Sequence, residues 1–300
     1  MSASKGVVIV AYATVVGIWG TTWLGIKLAL EGLPIVTGAG VRFIIAGIFL
    51  YGLGLAFRID LRKNAPPPHL VVVLAATMFG LNYACTYFAE THLASGLVAV
   101  LFGTLPFFVF GIASVMIGER VSRGMLLGAV LAFAGVALIS LSGDIQGDAI
   151  YVAAALAAAF SSAYATVYLK RHAEAEPFTT LPPAMLLAGT VMFAAGSFSE
   201  HPSFAQAFAW RPLFALLYLA IFGSAIAFYL NHWLLQRISS GLMGLSALMI
   251  PVIAIAIGAL FGGEVFGPRE IAGALLVIFG VWLSMRGAAP RAAAALAADG

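Results

Sequence analysis

The sequence has very few charged residues for its length. Only 9% of its 300 residues are Asp, Glu, Lys or Arg, whereas 62% are apolar. Soluble domains carry about 25% charged residues, because a folded chain needs a polar surface toward water. A water-soluble fold is therefore excluded, and the sequence predicts an all-α integral membrane protein whose outer surface contacts the lipid bilayer.

Cysteine and histidine are also scarce. Cys85 is the single cysteine, so neither an intramolecular disulfide nor a Cys-x-x-Cys motif can form. The five histidines are His69, His92, His172, His201 and His232. They are dispersed along the chain, and no pair has the helical spacing of metal ligands. We therefore expect no metal and no cofactor.

Two further absences restrict the function. No Gly-x-x-x-x-Gly-Lys-Ser/Thr loop is present to bind nucleotide phosphates, so energy for any transport would come from gradients or exchange. The basic residues are scattered rather than gathered into a patch, which argues against nucleic acid as a partner. The expected partners are the lipid bilayer and a small-molecule substrate, with coupling to a proton or a counter-substrate left open.

The apolar residues form runs long enough to cross a membrane. The first run continues through Trp19 and Gly20 and is longer than the core of about 7–15 residues in a secretory signal, so it is interpreted as a retained span. Charges and turn residues separate ten such runs, each close to the length of about 20 residues that spans a bilayer. The predicted spans lie near 7–28, 35–57, 70–89, 93–117, 122–141, 149–169, 180–198, 212–234, 240–262 and 269–286.

The basic residues predict the orientation of these spans. Lys and Arg gather on the cytoplasmic side of membrane proteins. With the N-terminus inside, the cytoplasmic segments hold eleven basic residues and the outer segments hold only Lys27, Arg211 and Arg269. This asymmetry favours an even number of spans, with both termini in the cytoplasm.

An internal repeat divides the chain into two halves. Residues 95–138 align with 240–283 at a constant shift of 145. Since each half holds five spans, an odd number, the second half must enter the membrane inverted, which is the architecture of alternating-access carriers. The predicted parts are a first repeat at 1–143, an inverted second repeat at 144–288 and a cytoplasmic tail at 289–300. The aligned landmarks are Ser95-Gly96 with Ser240-Gly241, Pro106 with Pro251, and Gly118-Glu119 with Gly263-Glu264.

These landmarks, together with Trp19-Gly20 in the first span, resemble the EamA-type branch of the drug/metabolite transporter superfamily. The resemblance covers about residues 7–286. In size and layout the chain is similar to the YddG-like amino acid and metabolite exporters. It implies a location in the bacterial inner membrane and a cavity lined by spans 1, 3, 4, 6, 8 and 9. Span 6 departs from the pattern, because Ala158-Ala159-Phe160-Ser161 stands where the first span has its Trp-Gly pair.

Aromatic and polar side chains on single helical faces are the candidate substrate-binding groups. A small-molecule site is usually an apolar pocket with a few polar groups, and aromatic rings can also receive an ammonium group. Tyr and Trp form interfacial belts as well, so a belt or packing role stays open for these residues. The candidates are Trp19, Trp23, Phe79, Asn82, Tyr83, Tyr87, Ser161, Tyr164, Tyr168, Tyr229 and His232.

Charged residues and prolines supply candidate gates and hinges. Glu119 and Glu264 occupy equivalent positions in the two repeats, where they would act either as alternating gates or as helix caps. Pro106 and Pro251 are matched prolines that would serve as hinges or as static bends. Arg42 lies about two turns inside span 2, and the expectation is that it extends outward or pairs with Glu31 rather than binding substrate.

The sequence therefore predicts a secondary transporter and not an enzyme. It would move amino acids, aromatic or other neutral ones, and related small metabolites across the membrane by alternating access, most naturally as an exporter. A multidrug or other-metabolite exporter of the same fold is the alternative. A channel would need a continuous polar pore and a membrane-embedded enzyme would need convergent His, Asp, Glu or Cys residues, and the sequence indicates neither.

Overall fold

A computed structural model describes residues 4–60, 63–93, 95–140, 149–202, 205–262 and 267–298. Within these ranges the chain forms helices, turns and no strands. Helices α1 to α5 are Lys5–Ala29, Ile35–Ala56, Pro68–Glu90, the pair Ser95–Phe102 and Leu105–Met116, and Arg123–Ser140. Helices α6 to α10 are Ala149–Arg171, Pro177–Ser199, Trp210–Leu235, the pair Ser240–Gly244 and Ser246–Gly262, and Pro268–Ala298.

The length and composition of the helices fit a membrane protein. Seven helices among the described residues are long and apolar enough to cross a bilayer. Three shorter apolar helices fall within α5, α9 and α10, at Arg123–Ile139, Ser240–Ile253 and Ile271–Gly287. The helical membrane fold is therefore established, whereas the ten-span count and the inversion of the second half stay predictions.

The outer surface is apolar, unlike that of a soluble protein, and the mostly apolar interior also holds polar side chains. Large apolar side chains are on the outside, including Val115 and Phe198, which are 90% and 83% exposed. Polar side chains are in the interior, including Arg42, Asn231 and Ser224. This arrangement is expected for a protein in lipid, because the bilayer solvates apolar groups while buried polar groups bind one another.

Glycines allow α5 and α10 to pack closely. A Cβ at Gly280 would lie 2.5 Å from the carbonyl oxygen of Gly128, and one at Gly135 would lie 2.6 Å from that of Gly273. Helix α2 packs on α7 in a similar way, since a Cβ at Gly189 would lie 2.9 Å from the Gly40 carbonyl oxygen. Small residues are typical of such interfaces, where helix association depends on close backbone approach.

Two helices contain a π-helical segment. Residues Ala75–Leu81 form one within α3, and Leu219–Ile226 form the other within α8. Each segment holds a Phe-Gly pair, Phe79-Gly80 in α3 and Phe222-Gly223 in α8. A π-helical turn widens the helix and displaces backbone carbonyls from their usual partners, which is why such turns are frequent at functional sites.

Candidate functional site

A cavity of about 180 Å³ lies between the two halves of the chain. Its wall is formed by α1, α2, α3 and α4 from the first half and by α6, α8 and α9 from the second. Most of the wall is apolar, with polar side chains distributed over several helices. This composition is typical of small-molecule sites.

Five of the predicted residues line this cavity. Trp19 comes from α1, Asn82, Tyr83 and Tyr87 from α3, and Pro251 from α9. On α3 the lining residues recur at steps of three or four, which places them on one face of the helix. Of the aromatic residues predicted for span 3, Tyr83 and Tyr87 line the cavity and Phe79 does not.

Three other predicted residues, Ser161, Tyr229 and His232, lie one position away from residues that line the cavity on α6 and α8. Ser162 and Thr166 line it, whereas Ser161 is buried and donates a hydrogen bond to the Thr77 carbonyl oxygen at 2.9 Å. Likewise Phe228 and Asn231 line it, whereas His232 is fully buried elsewhere. Because an α-helix has 3.6 residues per turn, one position rotates a side chain by about 100°. Tyr229, next to Phe228, is also outside the cavity lining, and Tyr164 and Tyr168 of α6 lie two positions from a lining residue and do not line it.

Packing accounts for where the displaced aromatic residues lie. Tyr229 packs on Phe178 of α7, with ring centroids 4.7 Å apart. Tyr164 and Tyr168 stack on each other at 5.7 Å, and Tyr168 also contacts His172. Phe79 is fully buried against Phe43 and Phe228. These rings contribute to the core and to its edge rather than to the cavity wall.

Two predicted residues have no described site geometry. The side chain of Trp23 and the whole of Glu264 lie outside the described residues. Among the residues that are described, no group of three His, Cys, Asp or Glu side chains is placed to hold a metal ion.

Arg42 lines the cavity, which the sequence interpretation did not favour. It is only 3% exposed and lines the cavity instead of extending outward. Its Nε donates to Ser224 Oγ at 2.7 Å, and its Nη2 donates to the Gly223 carbonyl oxygen at 3.3 Å. A charge at the centre of a membrane helix costs about 2.5–3.5 kcal/mol on insertion scales, so an arginine buried within such a helix is a candidate functional residue.

Neighbouring groups hold the guanidinium in place. Its carbon lies 5.5 Å from the Tyr83 ring centroid and 5.6 Å from that of Phe43, within the range of cation–π attraction. The carbonyl acceptor at Gly223 belongs to the π-helical segment of α8. The π-helical turn thus explains how one helix can offer a backbone acceptor to a cation from another.

Two acceptor atoms at the cavity have no partner in the described part of the chain. They are Asn82 Oδ1 and Glu90 Oε1, both of them buried. Both residues line the cavity, and both come from α3. Buried polar atoms are nearly always hydrogen-bonded in folded proteins, so two unpaired oxygens on residues that line a cavity indicate a place for a ligand or water.

The Glu119 carboxylate binds the first residue of α9. Its Oε1 accepts from the Ser240 amide at 3.0 Å, and its Oε2 accepts from Ser240 Oγ at 2.7 Å. Glu119 therefore caps the start of α9. The prediction of a cap had placed it on the next helix along the chain, which is α5. The Lys170 ammonium donates to the carbonyl oxygens of Leu235 and Ile238 in the turn that precedes α9.

The two predicted hinge prolines have different local structures. Pro106 is buried in the first turn of Leu105–Met116, just after the break in α4. Pro251 is inside the helix Ser246–Gly262 and lines the cavity. A hinge role for either stays a prediction, but only Pro251 is in contact with the candidate site.

Comparison with known proteins gives consistent matches over the whole length. The model of the EamA-like transporter family matches twice, at residues 5–141 and 149–286. The inner membrane transporter YedA of Escherichia coli is 30% identical over 278 residues, which cover 89% of this chain and 86% of YedA. PagO of Salmonella typhimurium is 26% identical, with 89% of each chain covered.

Two further similarities concern function and fold. A protein named probable terminal-alkyne amino-acid exporter, from Streptantibioticus cattleyicolor, is 25% identical over 89% of this chain and 90% of its own length. A solved crystal structure superimposes with a TM-score of 0.81 at 19% identity, covering 95% of this chain and 98% of the other. Since the family model matches nearly the entire sequence in two copies, this chain belongs to the EamA-like transporter family.

Proposed function

We propose that this chain is a secondary transporter for neutral amino acids, aromatic ones among them, and for related small metabolites. It works by alternating access in the bacterial inner membrane and moves its substrate out of the cell. The observation that carries the proposal is the cavity, whose wall combines helices from both family-matched segments. A substrate held there touches both halves, so a relative movement of the halves transfers it between the two sides.

The size of the cavity favours small metabolites over drugs. Pockets for drug-sized ligands usually measure about 300–1,000 Å³. The cavity here measures about 180 Å³ and combines aromatic rings with a few polar groups. One similar protein is named as an amino-acid exporter, which agrees with this substrate class.

Paired structural features support an inverted repeat as the basis of the mechanism. The α5–α10 contact is reciprocal, since Gly128 meets Gly280 and Gly135 meets Gly273, and the sequence repeat relates Gly128 to Gly273 and Gly135 to Gly280. The π-helical segments of α3 and α8 each contain a Phe-Gly pair, Phe79-Gly80 and Phe222-Gly223, at similar positions in the two halves. In this proposal the two halves are equivalent units that exchange conformations.

The direct test is uptake into proteoliposomes that contain the purified protein. A panel of labelled amino acids is offered with and without a pH gradient. The proposal expects saturable uptake of at least one neutral amino acid, and the effect of the gradient decides whether protons are coupled. An intact, correctly folded preparation that takes up no amino acid, while it transports a drug or a sugar, would refute the proposed substrate class.

A cavity-filling variant tests whether the described cavity is the transport site. Ala247 lines the cavity, so Ala247→Phe places a ring in the space that a substrate would occupy. Ala134 is exposed on α5 and is outside the cavity wall, so Ala134→Phe is the matched control. We expect uptake to fall at least tenfold in Ala247→Phe and to stay near the unmodified rate in Ala134→Phe. Equal uptake in both variants would place the route elsewhere.

A further inference from the structure

Among the described residues that line the cavity, one is basic and one is acidic, and these two do not bind each other. Arg42 comes from α2 and Glu90 from the end of α3, and both line the space. Among the described residues no ion pair joins them, and the hydrogen bonds of Arg42 go to Ser224 and Gly223 instead. Opposite charges that face one cavity without pairing leave room for a ligand that carries both charges.

Arg42 has donors available for a carboxylate. A guanidinium group has five N–H donors in a planar fork. Two of its nitrogens, Nε and Nη2, each donate one hydrogen bond to α8, which leaves Nη1 unengaged within the described chain. The bonds to α8 and the rings of Phe43 and Tyr83 fix the plane of the fork. A fixed fork with free N–H groups matches the two oxygens of a carboxylate.

The face of α3 has acceptors available for an ammonium group. Asn82, Thr86 and Glu90 follow one another at steps of four, so they lie on one face, and all three line the cavity. Asn82 and Glu90 each carry a buried oxygen, Oδ1 and Oε1, that has no hydrogen-bond partner in the described chain. An ammonium group has three donors and no acceptor, so it can supply the hydrogen-bond donors that these two oxygens lack.

We propose that the cavity recognises the zwitterionic head of an α-amino acid. Arg42 binds the carboxylate, and Glu90 with Asn82 binds the ammonium group. The apolar wall, which includes Phe102 and Leu105 of α4 and Ile250 of α9, receives the side chain. This inference rests on the proposed function and deepens it, because it names the groups that select amino acids over amines, carboxylic acids and uncharged solutes.

Ligand analogues test the inference on the unmodified protein. Thermal stabilisation of the purified protein in detergent is measured with L-phenylalanine, L-phenylalaninamide and 3-phenylpropionate, and with the corresponding leucine series. The amides lack the carboxylate, and the propionate-type acids lack the ammonium group. We expect both L-amino acids to bind at least about tenfold more tightly than either analogue, since hydrogen bonds to charged groups are the strong ones. Equal binding of an amino acid and one analogue would overturn the corresponding half of the inference.

Charge-removing variants assign each half to its residue. In Arg42→Gln we expect the preference for L-phenylalanine over its amide to disappear while the preference over 3-phenylpropionate persists. In Glu90→Gln we expect the reverse pattern. A merely structural role would weaken all ligands together, so unchanged preferences in both variants would overturn the assignment. Arg171→Gln and Glu31→Gln remove exposed charges outside the cavity wall and serve as matched controls.

The outcomes separate this inference from the proposed function. Saturable amino-acid uptake combined with unaltered analogue preferences would refute the roles of Arg42 and Glu90 and leave the transporter proposal standing. If Arg42→Gln does not fold, the analogue panel on the unmodified protein and on Glu90→Gln still decides the question. Transport of an uncharged solute, with no amino acid bound, would refute both proposals together.

Discussion

Arg42 shows how a single residue can differ from its expected role. Its position about two turns inside α2 predicted a side chain that extends outward or pairs with Glu31. The structure instead directs it inward, to Ser224 and to a carbonyl oxygen of the π-helical segment in α8. The direction of the side chain depends on acceptors in α8, and the sequence of α2 does not indicate where those acceptors lie.

The hydrogen bond from Arg42 to Ser224 gives a prediction about stability. Ser224 is fully buried, so Ser224→Ala leaves the Nε donor without this hydrogen-bond partner. A hydrogen bond to a charged group contributes about 1.5–3 kcal/mol, and we expect a loss of that order. Thermal unfolding in detergent measures it, with Ser114→Ala as the control, since Ser114 is exposed and bonds only to its own helix. Equal melting temperatures for the two variants would contradict the role assigned to Ser224.

At the scale of helices, carboxylates from distant segments cap two helix starts. Glu119 binds Ser240 at the start of α9, and Glu200 binds the amides of Val36 and Thr37 at the start of α2. Carboxylates are favourable there because the first amides of a helix lack partners and the helix dipole is positive at that end. The two caps are chemically alike, but of the two capped helices only α9 brings a predicted hinge proline, Pro251, to the cavity wall.

The two caps therefore form a matched test of gating. Loss of a cap costs about 0.5–2 kcal/mol, so we expect Glu119→Ala and Glu200→Ala to lower the melting temperature by similar amounts. We further expect Glu119→Ala alone to slow amino-acid exchange, by about tenfold, because in the proposed cycle the contact between α9 and the segment that joins α4 to α5, which holds Glu119, opens and closes. Exchange rates in proteoliposomes measure this effect. An equal reduction of transport in both variants would show that Glu119 is a structural cap only.

The packing of α5 on α10 gives a second prediction at this scale. A Cβ at Gly280 would lie 2.5 Å from backbone atoms of Gly128 and Ala132, which cannot move aside as a flexible side chain could. Gly280→Ala should therefore destabilise the protein by about 1–3 kcal/mol, as overpacking does. Gly111 is exposed in α4 with nothing within 4 Å of its Cβ position, so Gly111→Ala should be neutral or stabilising. Thermal unfolding of the two variants in detergent compares them, and equal stability would contradict the close contact.

At the scale of the whole molecule, the fold was largely predictable from the sequence. Apolar runs bounded by charges gave helix positions close to those observed, for example 212–234 against Trp210–Leu235. The reason is physical, since a backbone in lipid must satisfy its hydrogen bonds within helices. The family assignment was confirmed by the two matches at 5–141 and 149–286. The break in α4 lies between Gly103 and Pro106, where only a hinge or bend at the proline was predicted, and the π-helical segments were not predicted.

The site was only partly predictable, and the reason is the phase of the helices. On α3 the predicted aromatic residues Tyr83 and Tyr87 do line the cavity. On α6 and α8 the prediction was displaced by one residue, to Ser161 and His232 instead of Ser162 and Asn231. These helices are apolar on all sides, so no amphipathic stripe indicates which face turns inward. In addition, a π-helical turn shifts the phase of every residue after it in α8.

The central claim is that the cavity serves a carrier that alternates between two sides, and counterflow tests it most directly. Proteoliposomes are loaded with unlabelled L-phenylalanine or L-leucine and diluted into a trace of the same labelled amino acid. The account predicts a transient accumulation of label above its equilibrium level, which disappears in Ala247→Phe and persists in Ala134→Phe. Label that only equilibrates, at a rate proportional to its concentration and equal in both variants, would identify a channel-like path and contradict the account.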